Sequence, residues 1–288
     1  MRHTSLRSYI GLALAIAFTF APGTAMAVNC CKVNQGSCNL TTPLTHGDNG
    51  WTGSVCNIRI GGTNCVAKLA NGDDSVTWNS SADCITLDAG VTLDLNGKTI
   101  TCIASGGCGV GVKNLDSGSG SNAVSIINGT LAGMWSTGIL ETGGSNTTVS
   151  EVVVDGATVG ISGVQGHMDY VTVQNSKTDG IVITAGKDLK KSILRNNGKT
   201  SPYGAGVKLS SGSSYSATDF DDVLFIDNYW DINDQGTGSA GITRSSLQQA
   251  SNCHCYALES GSSACRAIGS CATISGSPKT FVDDQRYP

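Results

Sequence analysis

Between Cys84 and about Asp234, an apolar residue, a variable residue and then Asn or Asp recur: Ile126-x-Asn128, Val153-x-Asp155, Val173-x-Asn175, Leu194-x-Asn196 and Ile226-x-Asn228. A Gly-apolar step follows the first four, at Gly138-Ile139, Gly160-Ile161, Gly180-Ile181 and Gly206-Val207. The core period is about 20 to 22 residues, widened in places by Gly- and Ser-rich insertions such as Ser210 to Ser216. Self-similarity at such a period marks a repeat architecture. Within each repeat the apolar residues alternate, as at Val171 and Val173 and then Ile181 and Ile183, which is the period of a strand and not of a helix. A coil of this length is too short for a strand-helix-strand unit of ~30 residues. The strands are therefore expected to stack coil on coil, parallel and ~4.8 Å apart, with inward Val, Ile and Leu forming ladders. The recurring Asn is expected to form one column at a coil corner. There it takes the left-handed backbone conformation and hydrogen-bonds neighbouring backbone, an architectural role.

Upstream, Arg2 and Arg7 precede an apolar run from about Tyr9 to Ala21 and then Ala25-Met26-Ala27. This reads as a secretion signal over residues 1–27, cleaved after Ala27. The run is shorter than the ~20 residues that span a bilayer, and no later stretch is apolar enough to do so. Loss of Arg2 and Arg7 leaves 16 basic residues against 22 acidic ones. That acidic balance argues against general nucleic-acid binding. The 38 Gly and the 6% aromatic fraction argue against a helical bundle and fit short strands joined by tight turns.

All 12 Cys follow the cleavage site, in three even groups. Cys30, Cys31, Cys38, Cys56, Cys65 and Cys84 come first, then Cys102 with Cys108, then Cys253, Cys255, Cys265 and Cys271. In an exported chain these are expected to form disulfides in the periplasm or outside the cell. Cys253-His254-Cys255 offers soft ligands, but neighbours in an extended segment point to opposite faces and no paired C-x-x-C accompanies them, so no metal is assigned.

The segment from Cys84 to Ile100, with Val91-Thr92-Leu93-Asp94-Leu95-Asn96-Gly97-Lys98-Thr99-Ile100, resembles the opening coil of the pectate-lyase-like superfamily of right-handed parallel β-helices. The later Asn and Gly-Ile recurrences resemble that superfamily's generic repeats. The resemblance implies an all-β, right-handed parallel β-helix of about six or seven coils over residues 83–239. Cys-rich caps are expected at 28–82 and 240–288, because open β-helix ends would expose strand edges and core. The scaffold hosts lyases, hydrolases, epimerases and non-catalytic adhesins, so it does not by itself assign a reaction.

Charge supplies the candidate chemistry. Lys177, Lys187, Lys190, Lys191, Arg195, Lys199 and Lys208 fall within about two coils, opposed only by Asp179 and Asp188. Stacked outward, they would form a ladder for a repeating anion such as a uronate polymer; the alternative is a solvated face that blunts sheet edges. The superfamily's lyases use Arg or Lys as base, with acidic residues holding Ca²⁺. The resemblance therefore points to Arg195 and Asp179 as the candidate pair. A hydrolase would need paired carboxylates. Thr178-Asp179-Gly180 and Asp221-Asp222 match only pieces of the polygalacturonase set, and Gly166-His167 comes too early with no Arg-Ile-Lys after it, so no hydrolase role is assigned. Asp219, Asp221 and Asp222 read as a solvated acidic loop, His167 as a turn residue, and Trp51, Trp78, Trp135 and Trp230 as loop-core residues. The expected function is an exported protein that binds, and in its enzymatic version cleaves by β-elimination, an acidic polysaccharide. The alternative is a non-catalytic envelope, appendage or adhesin-type β-helix. Oligomeric state is left open.

Overall fold

The computed structural model describes residues 30–34, 36–37, 39, 43–48, 50–62, 64–115, 123–143, 146–184, 188–210, 218–234, 240–243, 246–248 and 256–257. The signal segment, Cys38, Lys187 and the four C-terminal cysteines lie outside the described residues. The described residues are all β, with no helix among them. They form a ten-stranded and a fourteen-stranded sheet. From Ile58 onward, successive turns of chain add a strand to the first sheet and then strands to the second, and every pairing is parallel. Upstream, Lys32–Val33 runs antiparallel to Ile58–Gly61, and Cys31 forms an antiparallel bridge with Asn39. Parallel pairing also reaches upstream of residue 83, since Ile58 pairs with Ile85 and Leu44 with Ala67, so the laddered region is longer than the repeats mark.

The Gly-apolar recurrence is a physical column. In the first sheet Ile85, Val112, Ile139, Ile161, Ile181, Val207 and Ile232 are successive register partners. From Ile85 to Val207 none is more than 1% exposed. The glycine before each residue from Val112 to Val207 lies under the next rung's backbone: a side-chain carbon at Gly111 would stand 2.6 Å from the Gly138 carbonyl oxygen, and one at Gly180 would stand 2.5 Å from that of Gly206. Any larger residue would push the rungs apart. In the second sheet Leu93, Ile126, Val149, Met168, Leu189 and Phe220 form the matching inward ladder, each 1% exposed or less. Near-continuous buried aliphatic columns are what a parallel sheet covered on its inner face demands.

The asparagines do not form the single column expected. The second-sheet arms bend at two corners, where left-handed residues recur. At the first corner stand Asn96, Asn128, Glu151, Tyr170, Lys191 and Asp222, and at the second Gly133, Gly156, Asn175, Asn196 and Asp227, all at φ between 45° and 88°. Asn128 therefore occupies one corner, and Asn175 and Asn196 the other. Asp155 precedes corner residue Gly156, and Asn228 follows corner residue Asp227 into the core, where it is 3% exposed. Both corners share one local order, inward residue, outward residue, left-handed residue, so a pattern of apolar-x-Asn cannot tell them apart.

Among the described residues, disulfides Cys31–Cys65, Cys56–Cys84 and Cys102–Cys108 brace the N-terminal rungs. Cys56–Cys84 ties two consecutive rungs just ahead of their first-sheet strands. Cys102–Cys108 clamps the turn between strands Val91–Cys102 and Cys108–Asn114. Bridges of this number indicate an oxidising compartment.

Candidate functional site

The basic run lies on two consecutive rungs, and its side chains are spread around the perimeter instead of stacking. Lys190 stands in an outward column of the second sheet between Asp169 and Asp221, and its Nζ lies 3.0 Å from Asp188 Oδ2. The Asp188 hydrogen bond and charge hold the Lys190 ammonium above its usual pKa. Lys191 occupies the first corner, where Nζ donates to Tyr170 Oη at 2.9 Å and sits 4.8 Å from that ring's centroid. Arg195 lies on the neighbouring arm of the same sheet, between Gln174 and Ile226. Its Nε donates to Gln174 Oε1 at 2.5 Å, and Gln174 Nε2 donates to Asp155 Oδ2 at 2.8 Å. Lys199 pairs with Asp227 at 2.6 Å on the turn between sheets. Lys208 faces outward from the first sheet between Val182 and Asn233. Lys177 is exposed on the turn one rung earlier. Lys187 lies outside the described residues. Among the described residues, no strand register places one of these cations directly over another.

Arg195 and Asp179 are not brought together. Asp179 stands at the start of a first-sheet strand and accepts the Ala205 N–H at 2.9 Å. Burial raises its pKa, partly offset by that hydrogen bond and by the charge of Lys208. Its electrostatic partner is thus Lys208, not Arg195. Asp221 is an outward ladder residue beside Lys190, and Asp222 is a corner residue at φ 61°. Nothing is described of the Asp219 side chain. His167 is 66% exposed and lies 3.2 Å from Asp188. Trp51 is a buried loop-core residue at 2% exposure, whereas the other three tryptophans lie in strands: Trp135 is buried at the start of Trp135–Glu141, and Trp78 and Trp230 are half-buried in Ser75–Trp78 and Trp230–Asp234. The described residues hold no group of three or more His, Cys, Asp or Glu placed to share a metal ion.

Elsewhere the outer charges are also committed to neighbours: Arg59 to Asp88 at 2.7 Å, Lys68 to Asp94 at 3.2 Å, Lys113 to Asp83 at 3.0 Å, and Lys98 to Asp74. A cleft of about 390 Å³ opens over the N-terminal rungs, lined by Asn34, Asn57, Arg59, Asp83 and Thr86 among others. Both of its charged residues belong to those ion pairs.

Two features escaped the pattern in the sequence. One is a buried polar stack of Ser176, Asn197, Asn228 and Asp231, each at most 4% exposed. The doubled Asn196-Asn197 and the Asp227-Asn228 pair are its only trace in the chain. The other is a tyrosine pair, Tyr203 and Tyr229, with ring centroids 4.2 Å apart. No helix among the described residues is long and apolar enough to cross a membrane. Comparison with family models, with curated proteins and with solved structures finds no match for the chain.

Proposed function

We propose that this chain is exported and folds as a right-handed parallel β-helix of the pectate-lyase-like kind, acting without catalysis as an adhesin-type or structural component of the envelope or of a surface appendage. The leader at residues 1–27, the cysteine-rich flanks and the disulfides support export. The resemblance in the opening coil and the alternation of one chain between two parallel sheets support the winding. The functional half rests on one observation: the basic side chains do not converge on a groove, and several outer charges, such as Lys190 between Asp169, Asp188 and Asp221, and Lys199 with Asp227, pair with carboxylates on the same or adjacent rungs. Such pairing along the ladder favours stacking of the rungs and leaves few charges for a substrate. Incubation with a panel of uronate polymers, with and without Ca²⁺, is expected to give no rise in absorbance from unsaturated product. Turnover of any one of them would overturn this reading.

A second reading has its own support. Lys177, Lys191, Arg195 and Lys208 make no ion pair with a carboxylate among the described residues, and they lie on consecutive rungs. On this reading they bind an acidic polysaccharide, with Arg195, Asp179 and a Ca²⁺ ion serving the lyase version. Charge reversal at Lys190, Lys191 and Arg195 would then weaken retention on a polyanion in a salt-dependent way, whereas unchanged retention would remove the basic run from consideration.

A further inference from the structure

The N-terminal end of the winding is uneven. On one arm of the second sheet Leu44–Thr45 underlies Cys65–Lys68. On the other arm Ser75–Trp78 pairs with Val91–Cys102 above it, and among the described residues no strand pairs with its lower edge. The inward column above is sealed: Ile100, Leu131, Val154, Val173, Leu194 and Phe225 are successive register partners, each 0% exposed. Val76 is the next member down, and Trp78 shares its inward face. Both pack against the core, yet both are only half-buried. One rung is missing beneath them, and the core shows through the gap.

The backbone of that edge is unspent as well. The Trp78 carbonyl accepts the Ile103 N–H at 2.8 Å, so it points up the ladder. Backbone groups alternate sides along a strand, which turns the N–H and C=O of Thr77 toward the open side. Such a row is a template for another strand. Natural edges are commonly blunted by Lys or Pro, but Ser75-Val76-Thr77-Trp78 carries neither and is guarded by its brevity alone. Exposed Ser75 and Thr77 alternate with half-buried Val76 and Trp78, so an added strand must set its apolar residues on the inner face and its polar ones outside.

The shape of the end narrows the occupant. Ile58–Gly61 and Lys32–Val33 carry the first sheet below the level of Ser75–Trp78, and Leu44–Thr45 does the same on the adjoining arm. The gap is therefore recessed. The matching end of a second copy, with the same projecting strands, cannot reach into it, whereas a single extended strand ~4.8 Å below fits. The flanks of the described chain are engaged elsewhere, Lys32–Val33 on the first sheet and Tyr256–Ala257 at the opposite end of that sheet. Asp74, just ahead of the strand, takes Lys98 from the rung above, and its side chain is still 80% exposed. A basic residue in the incoming strand thus has a carboxylate to meet.

We propose that Ser75–Trp78 is a strand-acceptor edge, on which an extended segment of a partner protein completes the missing rung. Its backbone bonds to Thr77, an apolar side chain lies under Val76 and Trp78, and a basic residue approaches Asp74. The scaffold reading does not assign this edge, and the edge does not depend on that reading.

The probe is a synthetic capped peptide copying residues 96–103 with Val in place of Cys102, because that segment already pairs with the upper edge and carries Lys98 toward Asp74. Added to the full exported chain, it should slow deuterium exchange of the Thr77 amide, and a scrambled peptide should not. Thr77→Pro removes the edge donor at a position where an edge strand tolerates proline, and should weaken binding about tenfold or more in fluorescence anisotropy. Thr77→Ser keeps the donor and should bind within about twofold of the parent. Circular dichroism reports whether Thr77→Pro keeps the fold, and if it does not, the exchange of Thr77 in the parent chain decides alone. No protection of Thr77 by the peptide, equal protection by the scrambled one, or undiminished binding to a folded Thr77→Pro would each overturn the proposal. Thr77 already protected in the free chain would give the edge to a segment of this chain, and self-association abolished by Thr77→Pro would give it to a second copy; either result also overturns the assignment to a partner protein.

Discussion

Asn197 Nδ2 lies 2.9 Å from Asn228 Oδ1, a hydrogen bond between consecutive rungs made inside the core. The same Asn228 oxygen accepts the Asn197 backbone N–H at 3.1 Å, and Asn197 Oδ1 in turn accepts that of Ser176 at 3.0 Å. Asn197 Nδ2 also reaches the Val173 carbonyl, and Asn228 Nδ2 the Leu194 carbonyl. Each buried amide satisfies backbone that would otherwise be orphaned just after the second corner. Asn197→Ala should therefore cost about 2 to 3 kcal/mol, because it strands buried backbone groups. Ser176 Oγ has no partner of its own. Ser176→Ala should accordingly be neutral or stabilising, by up to about 1 kcal/mol. Chemical denaturation of both variants checks the pair, and similar losses in the two would refute this account of the stack.

The glycine column makes a steric prediction. A β-carbon at Gly180 would stand 2.5 Å from the Gly206 carbonyl oxygen and 3.0 Å from Asn197 Nδ2. Neither neighbour can retreat without opening a ladder or breaking the amide stack. Gly180→Ala should therefore destabilise by about 3 kcal/mol, at the upper end for overpacking. Gly72, whose added carbon meets nothing, is the control. Thermal unfolding should fall for the first variant and hold for the second.

Asp231 makes stability depend on pH. Burial, with the nearby charge of Asp227 adding to it, pushes the carboxyl up to about 7 from its ordinary 3.8, and the hydrogen bond from Asn228 only partly opposes this. Between those values the folded chain keeps a proton that the unfolded chain has lost. The contribution is therefore fully present below about pH 4 and fades as pH rises toward 7, at most ~1.4 kcal/mol per unit. Asp179, also raised by burial, acts with the same sign. The melting temperature should be higher at pH 5 than at pH 8, and Asp231→Asn should flatten that difference. A steeper slope in the variant would contradict the assignment.

Glu151 sits at φ 56° with its side chain exposed, at a corner that other rungs give to Asn. A long side chain there carries a left-handed penalty of ~1 kcal/mol that glycine avoids. Glu151→Gly should raise the unfolding free energy by about 0.5 to 1 kcal/mol in urea titration.

The disulfides should differ by loop length. Cys31–Cys65 closes a separation of 34 residues and Cys102–Cys108 one of 6. Loop-closure entropy makes removal of the first pair costlier by about 1 to 1.5 kcal/mol. Paired Cys→Ala variants, compared by calorimetry, measure the difference.

Much of the scaffold was open to reading from the chain alone. The Gly-Ile steps at 138, 160 and 180 are a true column because a glycine under a neighbouring backbone and an aliphatic residue facing the core are both local necessities, written one per rung. The alternation of Val171, Val173, Ile181 and Ile183 foretold burial for the same reason. The cysteine groups marked an oxidised chain, while the connectivity, Cys102 with Cys108 among it, came only from the fold.

What the chain did not carry was which turn lies beside which. Asn128 and Asn175 share a local grammar, and only the winding assigns them to different corners. Lys190 and Arg195 are five positions apart in the sequence, but one falls among aspartates and the other beside Gln174, because ladder neighbours come from rungs about twenty residues away. Tyr203 and Tyr229 meet by the same rule across an insertion whose length no periodicity predicts. A strand's inward or outward face is set by alternation within a few residues, and so it is legible in sequence. Contact between rungs depends on the summed length of every turn between them, and only the folded molecule performs that sum.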